Sequence, residues 1–595
     1  MKSRSRDDCS QAAAPPVNSV APTTCRACCV FLMLLPLALS APVNAQDRTR
    51  YAPQMPVYGQ TTVRLPSLPA AGAVTGSAEE LVDKLTGIMI LDDAARIQDP
   101  IAPFEGIRVD PKAELTTARE PAFASMLEGF LNQPVSILRL NEIAEAIRRF
   151  YRHTDEPVVD VEIPTDQDIT DGVVQILVRE SRIGRIRFVG NCWFDECLLS
   201  QQNRLRSGDP VNLPTLREEL IWYNRNPYRD VSVMLEPGVC EGATDVVYRV
   251  CDQQPLRVYG GYENSGVPAT SRERLLFGFQ LGNVGGQDRI FGYQYTTDSH
   301  LAGIINVHSF EYQIPVFDSR DHWVILGSWT DINSPVFGPG QGWQISGRYR
   351  TTLSSTACEN QTAHLGMDFK GIDNDLDFGG TTVTAGGVEI VNFVAGVEGS
   401  NTWCDGSRRY GLDLVLSPGY LLGRNTGSDF AALRPGSEPI YAYLRGRHER
   451  IFTVDCRTDL FVGTTGQIST TPLIPTEQLG FGGYNSVRGY NMRTANGDAG
   501  YLLNVEYRKH VGGGCRCCQP ESLTLLAFTD VGQQFNYSRN PGQADGDVLA
   551  SVGVGARYLI DPNCTLRFDY GLPLTQVGPI DHNSGRVHLG VVLAY

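Results

Sequence analysis

Arg488 lies in the stretch LGFGGYNSVRGYN (Leu479–Asn491), a glycine-rich, aromatic segment between two runs of strand character, in a chain of 595 residues and formal net charge -15. A turn needs glycine and asparagine; it does not need a guanidinium. The segment LLAFTDVGQQF offers Arg488 a partner. If Leu525, Ala527, Thr529 and Val531 face outward, Phe528, Asp530 and Gly532 face inward. An inward carboxylate without a partner is costly, and an arginine fork can meet it bidentately. The chemistry this predicts is a latch, not a bond-breaking reaction.

Nothing else in the sequence has the pattern of a catalyst. GPGQGW (Gly338–Trp343) lacks the strand-turn-helix setting and the lysine of a phosphate loop. His308, His322 and His588 fall in alternating strands and read as lumen or girdle residues. CRCC (Cys515, Cys517, Cys518) has no second cysteine or histidine pair at zinc spacing and reads as a turn. No enzyme, metal or cofactor is expected. The negative balance also argues against a nucleic-acid partner, which needs a concentrated basic face.

The elements that must hold the latch begin after an export signal. Lys2, Arg4, Arg6 and Arg26 precede the apolar run VFLMLLPLALSAP, and Val43-Asn44-Ala45 has the small residues of a cleavage site. Residues 1–45 are expected to be a signal peptide. No later run is long and apolar enough for a spanning helix, so membrane insertion would require a closed barrel. Of 15 cysteines, 11 follow Ala45. Cys192, Cys197, Cys240 and Cys251 cluster in one region, and their pairing is left open.

Residues 46–79 are rich in Pro, Gly, Ala and Ser and read as a linker. Residues 80–180 and 181–254 each read as strand, helix, helix, strand, strand, a weak internal repeat of two βααββ units. SILRLNEIAEAIRRFYRH carries Leu138, Leu140, Ile143, Ala144, Ile147 and Tyr151 at helical spacing. From residue 255 to 595, segments of alternating apolarity are separated by polar turns, as in an outer-membrane barrel. In AGYLLNVEYRK, Tyr501, Leu503, Val505 and Tyr507 share one face, and Asn504, Glu506 and Arg508 the other. A soluble sandwich would also alternate. Charges in mid-strand and aromatic residues near strand ends favour the barrel. Sixteen strands are expected, near 256–264, 271–282, 288–298, 303–315, 321–331, 342–354, 361–372, 387–398, 408–418, 440–450, 458–468, 499–509, 521–534, 547–559, 564–574 and 586–595. A barrel of that width is not filled by its own side chains. The long connection 469–498, which holds Arg488, is expected to fold into the lumen and plug it.

VRGY (Val487, Arg488, Gly489, Tyr490) in a long loop, followed by FTDVG (Phe528, Asp530 and Gly532) on a later strand, resembles the Omp85 superfamily. There the arginine of the loop tip and the aspartate of the strand meet inside the barrel. The βααββ units resemble POTRA domains, and EIPTDQDITDGVVQILVRE, with Pro164, Gln167, Asp168 and Gly172, resembles a POTRA motif. YENSG and GNVGGQDRI at the first barrel strands resemble the same group. Two such units before a barrel are similar to the two-partner secretion transporters of the haemolysin secretion/activation type (TpsB).

That resemblance implies α+β periplasmic POTRA-like domains followed by an all-β 16-stranded transmembrane barrel. It implies a pore in the outer membrane that exports a large exoprotein captured unfolded in the periplasm. Further implied partners are outer-membrane lipid and the barrel assembly machinery that inserts the chain. Two rival readings are an Omp85-type assembly factor that inserts other barrels, and a passive porin-like channel.

Overall fold

The computed structural model describes residues 65–66, 74–334, 338–356, 358–374, 386–403, 405–511, 521–537, 546–560, 563–577 and 584–595. The expected leader, most of the linker and the Cys515–Cys518 cluster lie outside them. No helix among the described residues is long and apolar enough to cross a membrane.

The first unit contains β1 (Glu80–Val82), β2 (Gly87–Leu91), β3 (Gly106–Val109), α1 (Pro121–Glu128), β4 (Val135–Ser136), α2 (Ile137–Tyr151), β5 (Val159–Glu162) and β6 (Val173–Glu180). Its main sheet runs β3-β2-β6-β5, while β1 and β4 make a small separate pair. Ser136 caps α2 by accepting a hydrogen bond from the Arg139 amide at 3.2 Å. The apolar stripe of α2, with Ile143, Ile147 and Tyr151, packs with Phe123 of α1 and Ile176 of β6. The reading of this unit as βααββ overlooked β3 and the β1–β4 pair. These are runs of two to four residues, too short to show a period.

The second unit holds β7 (Arg182–Val189), α3 (Glu196–Gln202), α4 (Leu213–Asn224), β8 (Arg229–Pro237) and β9 (Ala243–Asp252), with sheet order β7-β9-β8. Its core centres on Phe188 stacked on Tyr248 at 5.0 Å, with Tyr223 edge-on to Tyr248 at 5.3 Å.

The barrel begins at once. Its strands are β10 (Leu256–Glu263), β11 (Arg274–Val284), β12 (Arg289–Asp298), β13 (Ile305–Val316), β14 (Asp321–Ser334), β15 (Gly338–Ser355), β16 (Glu359–Asn374), β17 (Gly386–Trp403) and β18 (Gly406–Pro418). A short helix α5 (Gly427–Leu433) follows, then β19 (Ile440–Asp455) and β20 (Thr458–Ser469). Next come two short strands, β21 (Leu479–Phe481) and β22 (Ala495–Gly497). The chain ends with β23 (Ala499–Val511), β24 (Glu521–Phe535), β25 (Val548–Ile560), β26 (Cys564–Pro573) and β27 (Arg586–Ala594). Among the described residues, sixteen antiparallel strands close into one barrel, with β10 paired to β27 from Tyr259↔Ala594 to Glu263↔Gly590. Each segment read as a barrel strand is one of these. Alternation sets the two faces: Trp323, Trp329, Leu365, Tyr501 and Tyr507 are exposed outside, whereas Gln294, Asn392, Asp530 and Ser551 are buried inside. The second unit packs on one end of the barrel, here the near end; an odd number of strands places the 470–498 connection at the far end.

Candidate functional site

The connection after β20 does not stay outside the far end. β21 and β22 pair into a hairpin within it, and Gly482 and Gly483, at φ of 98° and 106°, turn the chain where a Cβ would be strained. Phe481 and Val487 are fully buried, packed with Leu502 of β23 and Leu549 of β25. The loop therefore fills the lumen, and its tip carries Arg488.

Arg488 is almost wholly buried and ringed by carboxylates. Its Nε donates to Asp530 Oδ2 at 2.7 Å and its Nη2 to Asp530 Oδ1 at 2.8 Å, the bidentate fork expected from the sequence. The Arg488 backbone N–H adds a third bond to Asp530, at 3.1 Å. Nη1 lies 2.7 Å from Glu506 Oε1 and 3.5 Å from Asp569 Oδ1. The guanidinium sits 3.5 Å from the centroid of the Phe528 ring, a cation–π contact. Asn504 Nδ2 donates both to Asp530 Oδ1 at 2.8 Å and to the loop carbonyl of Ser486 at 2.7 Å.

The flanking residues explain the rest of the tip. Gly489, at φ 91°, lies against β26, where a Cβ would meet the Gly571 carbonyl at 3.0 Å. Its N–H donates to His588 Nε2 at 3.0 Å. The Tyr490 hydroxyl donates to the carbonyls of Ala550 and Thr575. A Cβ on Gly532 would meet Phe481 at 2.8 Å and Val487 at 3.1 Å, so this strand glycine makes room for the loop.

Arginines of the barrel also hold the loop. Arg567 of β26 lies 3.8 Å from the Tyr484 ring centroid and donates to the Tyr484 carbonyl at 2.5 Å and to Asn485 Oδ1 at 2.8 Å. Its Nε is bound to Asp569. At the loop's root, buried Glu477 accepts from Lys370 Nζ at 2.9 Å and from Tyr443 at 3.0 Å. At its other root, buried Asp498 is held by Arg434, just after α5, through both Nη atoms. Asp498 also accepts from the Leu473 amide, Gln478 and the Tyr537 amide. Phe430 and Leu433 of α5 pack with Leu473 and Ile474 against the inner wall, so the helix and the loop close the far mouth together.

The near end is tied differently. Asp288, in the turn between β11 and β12, is fully buried by Arg225, Asn226 and Arg229 of the second unit; Arg229 Nη2 lies 2.9 Å away. Tyr228 reaches Gln280 at 2.9 Å and lies over Gly282, where a Cβ would collide with its ring at 2.0 Å. Arg320, in the next turn on this side, pairs with buried Glu219 of α4. Burial pushes both carboxyls upward. Arg225 and Arg229 nevertheless hold Asp288 below its ordinary value, whereas burial leaves Glu219 raised despite Arg320.

The residues of the N-terminal motif stand apart from this lumen cluster. Gln167 donates to the carbonyls of Pro164 and Gln175 at 2.9 Å and accepts from the Gln175 amide at 2.6 Å, bracing the β5–β6 turn. Gly172, at φ 75°, abuts the Lys84 carbonyl; Asp168 caps its own turn through Thr170. Sequence reading named Arg488 and Asp530 but missed Glu506, Asp569, Arg567, His588 and Asp498 as partners. Glu506 carried a signal, since it was already on the inward face of β23. Arg567 and Asp569 carried the same signal on β26, and His588 already read as a lumen or girdle residue; which of them meet Arg488 needed the register between strands.

Residues 459–558 match the model of the family described as haemolysin secretion/activation protein ShlB/FhaC/HecB. The chain is 22% identical over 488 residues to the heme/hemopexin transporter protein HuxB of Haemophilus influenzae, covering 77% of this chain and 80% of that one. It is 22% identical over 480 residues to the outer membrane transporter CdiB of Dickeya dadantii, covering 77% and 81%. The solved structure of CdiB from Escherichia coli superposes with a TM-score of 0.65 at 18% identity, over 90% of this chain and 93% of that one.

Proposed function

We propose that this chain, which has the fold and the family segment of a two-partner secretion transporter of the Omp85 superfamily, exports one large partner protein across the outer membrane. The supporting observation is a sixteen-strand barrel whose lumen is occupied by its own loop, with Arg488 seated on Asp530, behind two α/β units that can meet a client first. A passive porin has no use for so many buried charges on a removable loop.

The client arrives unfolded in the periplasm. The edge strands β3 and β5 of the first unit, and β8 of the second, suit an extended chain, because backbone hydrogen bonds tolerate any sequence; the start of β7 is already bonded by residues 208–211. The client then displaces the 470–498 loop. Arg488, with Gly489, Tyr490 and Val487, is the moving half of the latch; Phe528, Asp530 and Gly532 are the fixed half. Pro164, Gln167, Asp168 and Gly172 act as a brace that shapes the first unit. Outer-membrane lipid surrounds the barrel, and the cell's barrel assembly machinery inserts it. No step requires catalysis: folding of the client outside supplies direction.

Comparing the proteomes of culture supernatant and outer membrane with and without this gene tests the reading. Loss of one large protein from the supernatant, with membrane barrels unchanged, is the expected result. Broad depletion of barrel proteins from the membrane would make the chain an assembly factor instead.

A further inference from the structure

Trp193, in the turn between β7 and α3, is 51% exposed although it stands next to Phe194, which is 1% exposed in the core of the second unit. The turn is rigid. The Asp252 carboxylate accepts from three successive amides, those of Cys192, Trp193 and Phe194, at 2.8–3.0 Å. That clamp turns Phe194 inward and the indole outward. An indole fixed outward in this way suits a boundary that is apolar on one side and wet on the other.

Its position says which boundary that is. The Trp193 carbonyl accepts from Asn283 Nδ2 at 3.2 Å, at the near end of β11. Asn283 follows Phe277, Phe279 and Leu281, the outward row of that strand. Phe279 and Phe291 lie 6.1 Å apart, Phe291 meets Tyr312 at 6.1 Å, and Arg289 reaches the Tyr312 hydroxyl at 3.3 Å. These rings and the guanidinium form the near-end belt of the barrel's outer wall. Trp, Tyr and long basic side chains collect at that level in membrane barrels. The ties of Asp288 to Arg225, Asn226 and Arg229 hold the unit, and so Trp193, beside this belt.

We propose that Trp193 is a membrane contact of the second α/β unit, its indole entering the headgroup layer of the periplasmic leaflet beside β11 and β12. The inference requires only that the barrel span the membrane, and stands or falls separately from the export reading. It gives the unit a second tether, to lipid, next to its tether to the barrel.

The test uses the full chain in nanodiscs whose phospholipid is brominated either near the headgroup or near the chain end. The emission of W193F is subtracted from that of the wild type, which cancels the other tryptophans; heat-modifiable gel mobility verifies that both barrels are folded. The difference signal is expected to lose roughly half or more of its intensity with bromine near the headgroup, less with bromine near the chain end, as for an interfacial indole. It should also be shielded from acrylamide. A difference signal indifferent to both lipids and fully open to acrylamide would overturn the proposal. A signal indifferent to lipid but shifted by an added unfolded polypeptide would overturn it too, and would make Trp193 a client contact.

Discussion

Arg488 faces three carboxylates, those of Asp530, Glu506 and Asp569, within a nearly dry space. A buried charge set of this kind contributes little net stability when complete but is costly to break, about 3–5 kcal/mol when one partner is removed. Arg488→Ala is therefore expected to unseat the loop while leaving the barrel assembled. Single-channel recording should show frequent opening, and secretion should fall more than barrel abundance. Secretion at the wild-type rate from a normally assembled Arg488→Ala barrel would sink the latch. Arg488→Lys keeps the charge but loses the fork and should fall between the two. Gly489→Ala probes shape without touching charge. Its φ of 91° and the Gly571 carbonyl 3.0 Å from a new Cβ oppose the substitution by about 1–3 kcal/mol, so the same channel phenotype should appear.

The loop is held at its roots by elements that the VRGY motif does not mention. Asp498 joins three far-end connections: Arg434 after α5, Leu473 and Gln478 in the loop itself, and Tyr537 after β24. A buried hub of this kind makes the α5 connection and the lumen loop one cooperative unit. Asp498→Ala removes the carboxylate opposite buried Arg434, leaving only neutral acceptors such as the Leu473 carbonyl, at a cost of about 3 kcal/mol or more. Hydrogen exchange should then accelerate together over 420–439 and 470–498. Faster exchange in only one of the two would show that they move independently. The α5 helix itself was not legible in the sequence: seven residues, GSDFAAL, offer less than two turns of pattern, and only the Thr426 capping box with Asp429 marks its start.

Taken whole, the molecule is a plugged barrel with its second α/β unit fastened to two successive near-end turns by charge pairs of opposite sense, Asp288 to arginines and Arg320 to Glu219. This joint sets how the second unit is held against the barrel. Docking holds the Asp288 carboxyl below its ordinary value, so its contribution is complete at and above the ordinary carboxylate range and is lost as pH falls through the depressed value. Glu219 is raised, so its contribution runs the other way, present in acid and lost as pH rises through the raised value. Asp288→Asn is expected to loosen the joint at neutral pH and to abolish its share of the acid dependence. The readout is intrinsic-rate-corrected hydrogen exchange at residues 225–229 and 282–288. Unchanged protection in Asp288→Asn would show that Tyr228 and Gly282 hold the joint by packing alone.

The sixteen barrel segments, their inward faces and the Arg488–Asp530 pair were determined by the sequence itself. Period-two alternation is a local property, and an arginine in a glycine-rich loop beside an inward carboxylate on a nearby strand leaves few ways to satisfy both. Glu506 could have been added from its face alone. The faces of Asp569, Arg567 and His588 were equally legible, but not their meeting with the loop tip, because they reach it only after β26 and β27 close the barrel against β10, and register across that closure is not written in any one segment. The same holds for Asp288 with Arg225 and Arg229, which stand about sixty residues apart and meet only when the second unit docks. Local spacing decides which face a side chain takes; only closure and docking decide which buried charge it must answer.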